Sequence, residues 1–138
     1  MALMEGNQST TSKETRPAIV DADSFLLTRG NPATGTLVAS TAYAASLVIK
    51  ATPGTLISVS GYNSKASAQF IQLHDAASLP ADTAVPEMTF TVPATSNFSF
   101  DIPLTGMPFA IGIVVANSST GPTLTVGSAD VYFTAVRI

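Results

Sequence analysis

No cysteine occurs in this chain, so disulfides, thiolate metal sites and cysteine nucleophiles are excluded. Tryptophan is absent too, which removes the strongest sugar-stacking side chain, and there is one histidine, His74. Charge is scarce: six lysines and arginines stand against nine aspartates and glutamates, 11% of the chain with a formal net charge of -3. Soluble domains average about 25% charged residues, so this composition predicts a surface partly covered by subunit contact. Nucleic-acid binding needs clustered Lys and Arg to displace counterions from phosphate, and no such cluster exists. The longest apolar run, "FAIGIVVA" at 109–116, falls far short of the roughly 20 residues of a membrane-spanning helix. The polar start "MALMEGNQSTTSKETRP" lacks the apolar stretch of a secretory signal. The expected partners therefore include neither nucleic acid nor membrane.

The remaining charges are unevenly placed. Residues 1–29 hold seven of them: Glu5, Lys13, Glu14, Arg16, Asp21, Asp23 and Arg29. The first 24 residues are polar and aperiodic, a composition that cannot build a core and reads as an extended arm. Phe25, Leu26 and Leu27 follow as a short apolar cluster, then turn formers at Gly30, Asn31, Pro32 and Gly35. From there the period is two. "EMTFTVP" sets Met88, Phe90 and Val92 on one face, and "NFSFDIP" repeats the device with Phe98, Phe100 and Ile102. "FAIGIVVAN" aligns Phe109, Ile111, Ile113 and Val115 opposite Ala110, Gly112, Val114 and Ala116. Further strands are expected near 43–50, 54–62, 67–74, 123–126 and 129–138, separated by Gly, Pro, Asn and Ser clusters. "TGTLVAS" and "PGTLISVS" resemble each other as strands that start after a glycine turn. About eight short strands and no helical stripe predict an all-β protein, an antiparallel β-sandwich of jelly-roll or Ig-like topology with an N-terminal arm. Residues 1–42 read as the arm and first turn segment, residues 43–138 as the sandwich.

The adjacent His74 and Asp75 in "QFIQLHDAASLPADTAVP" suggest an acid-base pair. On a strand, however, neighbours project to opposite faces, so Asp75 cannot readily orient the His74 ring as a Ser-His-Asp device requires. Ile71 and Leu73 are expected in the core, with Phe70, Gln72 and His74 on the opposite surface at a subunit contact. Asp75, Asp82 and Glu87 border one loop without the ligand spacing of a calcium-binding loop; that loop reads as a turn stiffened by Pro80 and Pro86, with Asp82 bonded to nearby backbone N–H. No pair of acids is singled out for glycoside hydrolysis, and no phosphate-binding loop is present. No catalytic residue, metal or cofactor is expected. Tyr43, Tyr62 and Tyr132 read as rim tyrosines with wet hydroxyls.

The stretches "PGTLISVSGYNSKASAQFIQLHDAASLPADTAVP" and "SNFSFDIPLTGMPFAIGIVVANSSTGPTLTVGSADVYFTAVRI" resemble small structural proteins of tailed bacteriophages over residues 43–138. The resemblance implies a virion component made in the cytoplasm of a bacterial host: a capsid decoration or cement protein, a head fibre, or a tail-associated receptor-binding module. The implied partners are the major capsid protein or other virion proteins and further copies of the chain, with a homotrimer favoured. Arg16, Phe25, Leu26, Leu27 and His74 are the expected partner-contact residues.

Overall fold

The computed structural model describes residues 34–103 and 105–138. Nine strands occur among them and no helix: β1 (Thr36–Ala39), β2 (Ser46–Lys50), β3 (Gly54–Asn63), β4 (Gln69–Asp75), β5 (Met88–Val92), β6 (Ser96–Asp101), β7 (Met107–Phe109), β8 (Ile113–Ser118) and β9 (Val131–Arg137). Every strand pair is antiparallel. The first sheet runs β1–β9–β3–β6, with β7 continuing beside β3 where β6 leaves off. The second runs β2–β8–β4–β5. Apart from the β4–β5 pair and the short step from β6 to β7, every connection crosses between the sheets. This is the strand order of a jelly roll.

The alternation in the sequence explains the packing. On β6, Phe98 and Phe100 turn inward while Asn97, Ser99 and Asp101 are exposed. Phe90 on β5 meets both rings, at centroid distances of 5.9 and 5.5 Å, and Phe98 reaches Phe133 edge-on at 6.5 Å. Leu56, Val59, Val131 and Phe133 from the first sheet interdigitate with Ile49, Ile71, Leu73, Val92, Ile113 and Val115 from the second, all buried. Each such side chain contributes roughly 1.5–3 kcal/mol before ordering costs.

Gly61 has a specific place in this core. It pairs with Phe98 on one side and Phe133 on the other, so its missing side chain leaves room for two aromatic rings from neighbouring strands. A Cβ there would overlap the Tyr132 carbonyl oxygen and stand 2.7 Å from the Phe98 ring.

Three sequence expectations change. Thr36–Ala39 pairs with β9 from Arg137 to Thr134, so the sandwich begins ahead of residue 43. The expected strand 109–116 is broken: β7 ends at Phe109 in the first sheet, β8 starts at Ile113 in the second, and Ile111 is 56% exposed rather than in line with the core. The segment 123–126 forms a single bridge, Val126 to Ser118, because its other polar groups are taken by side chains and a neighbouring loop.

Candidate functional site

β4 carries the His74-Asp75 pair, and its parity separates the two side chains as expected. Ile71 and Leu73 face the core. Phe70, Gln72 and His74 take the other face, but that face is not a surface: Gln72 is fully buried and His74 is 2% exposed. The chain's own loops cover them, so the expected presentation of His74 at a subunit contact is replaced by burial within one chain.

The cover has two parts. After β8 the chain folds back on itself: Ser118 Oγ donates to the Thr120 carbonyl at 2.7 Å and accepts the N–H groups of Thr120 and Thr125. Gln72 Nε2 donates upward to the carbonyls of Thr120 at 2.9 Å, Gly121 at 2.8 Å and Thr123 at 3.3 Å. Gly121 rests against the Phe70 ring, where a Cβ would stand 3.1 Å away. Leu124 is fully buried and stands apart from the main core cluster. The loop between β4 and β5 clasps this segment: Thr83 N–H donates to the Leu124 carbonyl, Leu124 N–H to the Ala84 carbonyl, and Val126 N–H to Asp82 Oδ1. Asp82 does bond a backbone N–H as the turn reading required, but on a distant loop.

His74 Nε2 lies 3.3 Å from Gln72 Oε1. Because Gln72 Nε2 faces three carbonyls, its Oε1 must face the ring, and the imidazole proton therefore sits on Nε2. Burial lowers the His74 pKa below its usual 6.5, opposed by the negative charge of Glu87. The ring is neutral at pH 7 and engaged with an amide.

Asp75 faces the other way, into a cradle of three backbone N–H groups. Oδ1 accepts from Ile111 at 2.7 Å and Gly112 at 3.1 Å, and Oδ2 from Ala110 at 3.1 Å. The Ile111 N–H holds the carboxyl below its usual range, Gly112 and Ala110 add to this, and partial desolvation opposes it. This cradle is what breaks the expected 109–116 strand. Gly112 is required at its centre, since a Cβ would come within 2.5 Å of the Ala76 carbonyl oxygen. Asp75→Asn is expected to lower the urea midpoint at pH 7, because one carboxylate oxygen becomes an N–H donor pointed at N–H groups. A depressed carboxyl stabilises the fold above its unfolded value of 3.8 and loses that contribution as pH falls through the folded value. The gap between variant and parent should therefore narrow below pH 4, and equal midpoints at pH 7 would contradict the cradle's role.

The other acids are dispersed. Asp130 pairs with Lys65 at 3.2 Å on the surface, a contact worth at most about 1 kcal/mol. Among the described residues, no three His, Cys, Asp or Glu side chains gather into a metal-binding group. Arg16, Phe25, Leu26 and Leu27 lie outside the described residues.

The first sheet's outer face is different in kind. Tyr132 and Tyr62 are directly paired across β9 and β3, and Tyr43 packs on Tyr132 at a centroid distance of 4.4 Å, tilted by 45°. Both rings of that pair are about two-fifths exposed, and Leu37 is 66% exposed. Beside them an uncharged groove of about 290 Å³ is lined by Ala39, Ser40, Thr41, Tyr43 and Leu47.

Sequence reasoning missed both the Gln72 clamp and the Asp75 cradle. Gly112 inside an apolar run was the visible signal for the second; the polar side chains at 72 and 74, which read as exposed, gave none for the first. Searches of protein families, of characterised proteins and of solved structures find no match to this chain.

Proposed function

We propose that the chain is a non-enzymatic structural protein of a phage virion, a capsid decoration protein that attaches to the head and stabilises it, acting as a homo-oligomer. The observation that carries this reading is how the polar groups are spent. Among the described residues, His74 is bound to Gln72, Asp75 to three backbone N–H groups, Asp82 to Val126, and Asp130 to Lys65, so these four side chains hold the chain's own structure. Jelly rolls are also a recurrent element of virus shells, an analogy of fold and no more. The low charge and the uncharged groove beside Tyr43 suit contact with protein neighbours.

In this reading the arm makes the attachment, with Phe25, Leu26 and Leu27 adding apolar contacts and Arg16 a charged one. Deleting residues 1–27 is then expected to abolish capsid binding in a co-sedimentation assay while the sandwich keeps its thermal transition. Full occupancy by the truncated protein would overturn the arm's role.

The exposed Tyr43–Tyr132 pair beside the groove favours a second reading, a receptor-binding module. Under that reading Tyr43→Ala with Tyr132→Ala reduces adsorption of the purified protein to host cells at least tenfold; under the first reading the parent protein shows no adsorption for the substitutions to reduce.

A further inference from the structure

The clasped loops over β4 enclose a titratable ring at the point where they are fastened. Gln72 holds both ends of the arrangement, since its Nε2 bonds three carbonyls of the 120–123 segment while its Oε1 receives the His74 Nε2–H. The fastening also stores strain. Thr83, whose N–H bonds the Leu124 carbonyl at 2.7 Å, is held at φ 79, a left-handed conformation that a β-branched residue rarely adopts. The covering segment contributes one buried apolar side chain, Leu124, against the dozen of the main core. It is fixed chiefly by polar contacts.

We propose that these two loops form a proton-operated latch: protonation of His74 releases the 76–87 and 119–127 loops from the outer face of the second sheet and uncovers Phe70, while the two-sheet core stays closed.

The proton enters at Nδ1, because Nε2 already carries one. The resulting imidazolium is buried beside uncharged neighbours on two strands, Phe70 and Gln72 on its own strand and Val114 and Ala116 on β8. Glu87, which precedes β5, is the charged group acting on the ring, and it offsets only part of the cost. Asp75 is turned to the opposite face and committed to residues 110–112; Asp82, on the covering loop, is committed to Val126. Opening returns the ring to water, where protonation is easy. The sign follows: a histidine whose pKa is lowered in the closed form stabilises closure fully above 6.5, and that contribution is lost as pH falls below it. For one proton the opening constant rises by up to about tenfold per pH unit.

Amide hydrogen exchange on the full chain, corrected for intrinsic rates, tests this. The reporters are Leu124 and Thr83, whose N–H groups span the two loops; the references are Val59 and Ala135, paired in the β3–β9 ladder. Between pH 7.5 and 5.0, protection of the reporters is expected to fall, by at most about thirtyfold for one proton, while the references hold. In His74→Gln, which keeps an N–H donor for Gln72 without a titratable ring, the reporters should be flat with pH. An unchanged parent, the same pH dependence in the variant, or reporters and references falling together each overturns the latch. If the variant does not fold, NMR titration of the parent decides: a His74 midpoint below 6.5, matched by loop amide shifts, supports the latch, and a midpoint at or above 6.5 overturns it.

Discussion

Gly61→Ala is expected to destabilise the protein by about 3 kcal/mol, the upper end of the range for overpacking a well-filled core, with a fall in thermal midpoint of roughly 10 °C. The added carbon would meet the backbone of the neighbouring strand at Tyr132 as well as the Phe98 ring. A ring can rotate away; a strand carbonyl in mid-sheet cannot. Accommodating the methyl group requires β9 to shift against β3, and β9 also carries Phe133, Ala135 and the pairing to β1. The cost therefore reaches three strands and the aromatic cluster that joins the sheets. Calorimetry of the purified variant measures it. A midpoint within a degree or two of the parent would mean that the Tyr132 carbonyl and the Phe98 ring do not fix the spacing at this position.

Gln72→Leu should cost about 3 kcal/mol by a different route. Leucine fills nearly the same volume, so packing is kept while the donor shared by the Thr120, Gly121 and Thr123 carbonyls disappears and the His74 N–H loses its acceptor. Leaving a buried polar group without its partner costs about 1–3 kcal/mol; the Thr120, Gly121 and Thr123 carbonyls each retain a hydroxyl donor, from Ser118, Thr89 and Thr120, which limits the sum. The loss should be local. Proteolysis between residues 119 and 127 is expected to accelerate well before the core unfolds, whereas a variant cut no faster than the parent there would show that Gln72 is not what holds the loop.

These two residues also mark how far the sequence could be read. The period-two alternation in "EMTFTVP" and "NFSFDIP" reports the inward faces of β5 and β6, and the all-β class follows from local sterics and burial alone. Alternation cannot report what covers the outer face of a sheet. Gln72 and His74 are polar and alternate with Ile71 and Leu73, so they look exposed; only the return of the 119–127 segment, which is distant in sequence, buries them. The broken strand at 110–112 has a similar origin. Its residues are apolar enough for a strand, but the Asp75 carboxylate collects three of its N–H groups and draws the chain from one sheet to the other. The topology itself is a property of sheet order, settled by long-range pairings such as β1 with β9. Of the residues expected to contact partners, His74 is placed within a loop clamp, and Arg16 and Phe25 to Leu27 remain expectations of the arm reading.

The role proposed for this chain is that of a building element of a phage head. Electron microscopy of assembled particles carrying a labelled copy tests it most directly. Label at regularly repeated positions over the head surface is the expected result; label confined to the tail tip, or particles that carry none, would overturn the proposed role.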